Sequence, residues 1–159
     1  MAPNSRGDGT PIDNPETRAA LSRAYTATHY CIEAPGQTLL LRIGQRDPRL
    51  EAAVQAQGVK QASLLTAWNP RSDPLPEPEN RARQARLERE LAQAGWRCWP
   101  TVHRDPAGRW PDEPGCCVLG MGAAELDTWM VGFDQNAAVV IEPPGTPRLV
   151  WHPALRSAG

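Results

Sequence analysis

Near the start of the chain "AYTATHYCI" from Ala24 alternates apolar and polar positions, and the apolar-rich "QTLLLRIG" from Gln37 follows after the turn-forming Ala34-Pro35-Gly36. Aromatic and β-branched residues suit a pleated surface, so the pair predicts a β-hairpin. The period then changes. Asp47 before Pro48 marks a helix start, because a missing N–H costs nothing in the first turn, and "RLEAAVQAQG" continues to a terminating Gly58. "ASLLTAW" from Ala62 is apolar enough to be a strand covered on both faces. A charged helix follows from about Pro78 to Ala94, stopped by Gly95, and "WRCWPTV" reads as a strand. Beyond a loop, "HRDPAGRWPDEPG", come the strand "CCVLGM", the helix "AAELDTWMVGF", the strand "AAVVIE" and a last strand "PRLVWH" pairing back on it.

The order β-β-α-β-α-β-β-α-β-β predicts an α+β single domain: a mixed sheet of about six or seven strands with about three packed helices. The strand, helix, strand segments Ala62 to Val102 and Cys116 to Ile141 have the pattern of right-handed crossovers between parallel strands. In such sheets ligands collect beyond the carboxyl ends of the strands, where Thr66, Trp68 and Asn69 lie. Residues 1–15, rich in Pro, Gly, Asn and Asp, predict a disordered tail. The domain then spans 16–152, and 153–159 form a second tail. The triplet Arg6-Gly7-Asp8 in the first tail is read as a chance match to an integrin-binding motif.

One pattern on the charged helix stands out. At about 100° per residue, Asn80, Gln84, Leu87 and Leu91 share one stripe. The leucines must meet the sheet, so the two carboxamides point inward too, at the helix N-terminus and near the end of the preceding strand. A buried amide left unpaired costs about 1–3 kcal/mol. Loop backbone, ordered water or a ligand would have to complete it. Arg83 flanks the stripe and offers a charge, and a helix N-terminus suits an anion. Tying down the proline-rich loop of Pro70, Pro74, Pro76 and Pro78 takes precedence, because buried polar groups mostly find partners within the protein.

Charge and composition remove several function classes. Lys and Arg number 17 against 18 Asp and Glu, so no net positive field exists to hold nucleic acid, and no nucleic-acid partner is expected. No apolar run nears the roughly 20 residues of a membrane span, and the N-terminus lacks a signal peptide's hydrophobic segment. A cytoplasmic protein with no membrane partner is expected. Cys31, Cys98, Cys116 and Cys117 are then reduced thiols, read as core residues.

Candidate chemistry is sparse. With His29, His103 and His152 the cysteines invite a zinc site, but no C-x-x-C or H-x-x-x-H spacing occurs, and adjacent Cys116 and Cys117 on a strand face opposite ways. No metal or cofactor is expected. A Cys98–His103 nucleophile pair would be about 16 Å apart on a straight strand. "GMGAAE" lacks the third glycine and the lysine of a phosphate loop. Asp105, Asp112 and Glu113 cluster around Trp110, a candidate hydrolytic or cation site set against the plainer reading of solvated acids and a hydrophobic plug.

"TAWNP" at Thr66–Pro70, Glu79-Asn80 with Arg83-Gln84, "DPAGRWPDEP" at Asp105–Pro114 and "FDQNA" at Phe133–Ala137 together resemble the bacterial family known as domain of unknown function 3293, over about Tyr25 to Val150. The resemblance implies no activity. It implies that Thr66, Asn69, Asn80, Gln84, Trp110, Gln135 and Asn136 belong to shared motifs. The last motif usually reads Phe-Gly-Gln-Asn-Ala, so Asp134 stands where the family has glycine, and Asp tolerates the positive φ such a turn needs. Gln135 and Asn136 follow a helix and precede a strand, where capping and turn formation is the default role; a parallel sheet would place them at the end opposite Thr66.

Two functions remain open. One is a small-ligand or nucleotide-like binding domain, possibly an enzyme, using Thr66, Trp68, Asn69, Asn80, Arg83, Gln84, Trp110, Gln135 and Asn136. The other is a protein-interaction or regulatory module without catalysis, in keeping with small size and exposed prolines.

Overall fold

The computed structural model describes residues 14–156. The tail expected over residues 1–15, with its Arg6-Gly7-Asp8, therefore lies outside the described residues except at its end, where Asn14 caps a helix. That helix, α1 (Pro15–Ala27), begins with Asn14 Oδ1 accepting from the Glu16 and Thr17 amides, a side chain standing in for the missing helical acceptor. It replaces the first half of the expected strand "AYTATHYCI". Its inward residues Leu21, Ala24 and Tyr25 are buried, which shows period-3.6 packing overriding β-propensity at Tyr25 and Thr26.

The remaining elements follow the predicted order: β1 (His29–Ala34), β2 (Gln37–Leu41), α2 (Pro48–Gln55), β3 (Ala62–Leu65), α3 (Glu77–Gln93), β4 (Arg97–Arg104), β5 (Glu113–Leu119), α4 (Ala123–Gly132), β6 (Ala137–Ile141) and β7 (Arg148–Trp151). Gly36 turns the β1–β2 hairpin at φ 76°. The chain stays packed beyond residue 152: Pro153–Leu155 form a 3-10 turn and Leu155 is buried.

The α+β class and single domain stand, with seven strands in the order β2-β1-β4-β5-β3-β6-β7. The pairing differs from expectation. Every pair of neighbours is antiparallel, where a mixed sheet with adjacent parallel strands was expected. β3 and β4 do run parallel across α3, but β5 lies between them. β5 and β6 run parallel across α4, with β3 between. The result is two interleaved split βαβ units, the ferredoxin-like arrangement, extended by the β1–β2 hairpin on one edge and β7 on the other.

Both faces of the sheet are covered. Leu21, Tyr25, Leu50 and Val54 from α1 and α2 pack one face with Ile32, Trp99, Cys117 and Val139. Leu87, Leu91, Leu126 and Met130 from α3 and α4 pack the other with Cys116, Val118 and Val140. Leu87 and Leu91 are fully buried, each contributing about 1.5–3 kcal/mol.

Antiparallel pairing also decides where sites can form. Leu65 pairs with Cys116 and Leu64 with Val139, while His103 pairs with Glu113. The end of β3, the end of β4 and the starts of β5 and β6 therefore gather at one end of the sheet.

Candidate functional site

The loop leaving β3 is held by the amides on α3. Asn80 is 2% exposed and Gln84 4%, so the helical stripe does carry both inside. Asn80 Oδ1 accepts from the Asn69 amide at 2.8 Å, and its Nδ2 donates to Asn69 Oδ1 at 2.6 Å and to the Leu75 carbonyl at 3.2 Å. Gln84 Oε1 accepts from the Ala67 amide at 3.0 Å, and its Nε2 reaches Cys116 Sγ at 3.5 Å. Arg83 Nε donates to the Ala67 carbonyl at 3.0 Å and its Nη2 to the Phe133 carbonyl at 2.6 Å. The Asn80 and Gln84 carboxamides and the Arg83 guanidinium thus bond to the loop and its neighbours.

The second cluster meets the first. Gln135 Nε2 donates to the Trp68 and Phe133 carbonyls at 3.3 and 3.2 Å, and Asn136 Nδ2 to Ser72 Oγ at 2.8 Å. The expectation of opposite ends rested on a parallel sheet; antiparallel β3–β6 pairing brings Trp68 beside Gln135. Thr66 Oγ1 donates to the Pro114 carbonyl at 2.7 Å and accepts from the Trp68 amide at 3.1 Å, locking the strand end to β5.

This network holds an unusual backbone. Asn69, Arg71 and Ser72 have φ of 45°, 55° and 60°, in the left-handed region that costs an L-residue about 1–2 kcal/mol. Asp134 has φ 54°, so the position where the resembled family has glycine does require the glycine-like conformation. The Arg71 amide donates to the Asp134 carbonyl at 2.6 Å, which joins the two strained turns.

The strained loop, the start of α3 and the β4–β5 connection enclose a cleft of about 690 Å³. Of the residues anticipated from sequence, Trp68, Asn69, Asn80 and Trp110 line it; Thr66, Arg83, Gln84, Gln135 and Asn136 do not, and brace the loop from behind. Asp112 and Glu113 of the anticipated acid cluster also line it, together with Arg81, Arg104 and Arg109. These arginines escaped the sequence reading because nothing in their spacing distinguishes them from a solvated face; proximity to Trp68 and Trp110 was the only available signal.

The cleft combines opposite chemistries. Trp68 and Trp110 are mostly buried, and Glu113 is 1% exposed. Asn69 Nδ2 donates to Glu113 Oε1 at 3.3 Å, and burial raises the Glu113 pKa above the ordinary carboxyl value. Arg81 sits over the Trp68 ring at 5.8 Å. Toward solvent, Arg81, Arg104 and Arg109 are paired with Glu77, Asp112 and Asp105 at 2.6, 3.0 and 3.0 Å. Asp105 organises the loop: it accepts from the Ala107 and Arg109 amides and its carbonyl accepts from Gly108. Behind Glu113, the His103 ring meets Thr101 Oγ1 at 2.9 Å and the Tyr30 ring edge-on at 4.9 Å.

Residues 65–138 match the family model described as "Protein of unknown function (DUF3293)". Over that segment the chain is similar to the DUF3293 family. The match is narrower than the span from Tyr25 to Val150 over which the motifs suggest it, and leaves out the β1–β2 hairpin, α2 and β7. The matched segment contains the 68–75 loop, its amide braces and the strand ends around the cleft. Neither curated proteins nor solved structures gave a match. No helix among the described residues is long and apolar enough to cross a membrane.

Proposed function

We propose that this protein is a cytoplasmic binding domain for a small, planar, nucleotide-like ligand held in the cleft between the 68–75 loop and the β4–β5 connection. The observation carrying this reading is the convergence of Trp68, Trp110 and the buried Glu113 in one cavity of about 690 Å³, within the range of small-molecule sites. An indole offers a stacking face to a heteroaromatic ring. Glu113 accepts hydrogen bonds from ring or exocyclic N–H groups. At the rim Arg81, Arg104 and Arg109 supply guanidinium donors for a phosphate or carboxylate. Asn80, Gln84, Arg83, Gln135 and Asn136 keep the walls in place, and Thr66 fixes the strand end.

The docking-module alternative has less support. Leu40 and Val131 are the large apolar side chains exposed among the described residues, and they lie on different elements, β2 and α4.

Calorimetric titration with purine and pyrimidine nucleosides and their mono- and diphosphates tests the proposal. Saturable binding by the wild type is expected. Arg104→Ala, an exposed change, should weaken the phosphorylated ligands about tenfold, equivalent to roughly 1.4 kcal/mol, with nucleoside binding retained. Absence of binding across the whole panel rejects the reading.

A further inference from the structure

The face of the sheet beneath α3 carries cysteines on two neighbouring strands. In the β4–β5 register Cys98 lies opposite Val118 and Pro100 opposite Cys116, so Cys98 and Cys116 are one diagonal step apart. Cys116 and Val118 pack with Leu87 and Leu91, whereas Trp99 and Cys117 belong to the opposite face. Strand alternation therefore places both sulfurs on the α3 side. Cys98 is exposed, a correction to its reading as a core thiol, and Cys116 is buried. We propose that Cys98 and Cys116 form a reversible dithiol–disulfide site, oxidised by a hydroperoxide that reaches Cys98 from solvent.

The chemistry closes with groups in place. The Cys98 thiolate attacks a peroxide oxygen; an S–O bond forms, the O–O bond breaks, and the departing hydroxide takes a proton to leave as water. Cys98 is now a sulfenic acid. The Cys116 sulfur then attacks Cys98 sulfur, the S–S bond forms and the S–O bond breaks. The second hydroxide leaves as water with the Cys116 proton. Two thiols have lost two electrons, and one hydrogen peroxide has become two waters. The neighbouring Cys116 thiol favours the Cys98 thiolate and lowers its pKa, which selects Cys98 as the attacking group.

No other pairing competes. Cys117 faces away, and Cys31 pairs with Val102, four residues along β4 from Cys98 and so at least about 13 Å distant. Diagonal positions lie about 7–8 Å apart, beyond the roughly 4.4–6.8 Å between Cα atoms of a relaxed disulfide. Closing the bond strains the sheet, and strained disulfides are the readily reduced ones. It also draws Cys116 from Gln84 Nε2, the residue that braces Ala67.

The test is peroxide treatment of the reduced full chain, alkylation of remaining thiols, and peptide mapping. Expected is a Cys98–Cys116 linked peptide, lighter by two hydrogens and reversed by dithiothreitol. Cys98→Ser should abolish the link, and Cys116→Ser should leave a Cys98 sulfenic acid trapped by dimedone. The proposal is overturned by a wild-type Cys98 that stays a free thiol, that proceeds to sulfinic acid without a link, or that joins a second chain instead.

Discussion

Asn80 holds Asn69 from both ends of its carboxamide, accepting from the Asn69 amide at 2.8 Å and donating to the Asn69 side-chain oxygen at 2.6 Å. The pair fixes a residue at φ 45° that the chain would otherwise leave. Asn80→Ala removes these bonds and orphans buried groups, so it should lower stability by about 3 kcal/mol. Glu79→Ala, one position along on the exposed side, should change it by less than about 0.5 kcal/mol. Urea melts of the two variants against wild type make the comparison.

The inward stripe of Asn80, Gln84, Leu87 and Leu91 was legible because helical periodicity alone fixes it. Which groups satisfy those amides was not, since Asn69, Leu75 and Ala67 are partners through the path of a loop that no periodicity describes. The strand-helix-strand pattern likewise gave the parallel relation of β3 to β4 correctly and adjacency wrongly. Insertion of β5 between them follows from the short, turn-rich Asp105–Asp112 connection, which folds β5 back antiparallel on β4. The same error hid the meeting of Gln135 with Trp68. At α1, the Asn14-Pro15-Glu16 start was a readable cap signal outweighed by the Tyr and Thr content that follows.

Gly115 packs directly under the His103 ring: a Cβ there would lie 2.6 Å from His103 Nε2 and 2.7 Å from Thr101 Oγ1. Gly115→Ala should therefore destabilise by about 1–3 kcal/mol. In a His103→Ala background the cost should fall by at least half, and a double-mutant cycle measured by denaturant melts reads that coupling.

Burial holds the His103 pKa down from 6.5 to about 3. Between those values the unfolded chain binds the proton and the folded chain does not, so this residue contributes stability that is present above pH 6.5 and lost as pH falls. The slope approaches about 1.4 kcal/mol per pH unit. Glu113, with its raised pKa, acts in the opposite sense above its ordinary titration range. Stability measured from pH 7 to pH 4 should fall less steeply in His103→Gln than in wild type; equal slopes would refute the assignment.

Asp134 occupies a left-handed turn at φ 54°. Asp134→Val should lower stability by about 1–2 kcal/mol, because a β-branched side chain tolerates that conformation poorly. Asp134→Gly should leave stability unchanged or slightly raised, since the 3.5 Å pair it makes with Arg71 is exposed and worth little. Thermal melts of both variants distinguish conformation from charge as the requirement here.

The cleft and its braces occupy one end of the sheet, while Ala62, Arg97, Leu119 and Ile141 mark the other, being mutually paired in the ladder. The turn from Glu142 to Pro147 belongs to that far end, and a Cβ added at Gly145 there would meet only the Glu142 carbonyl, at 3.2 Å. Lengthening this turn with a flexible graft should leave ligand affinity untouched, which makes it the natural place to attach a reporter without disturbing the binding end.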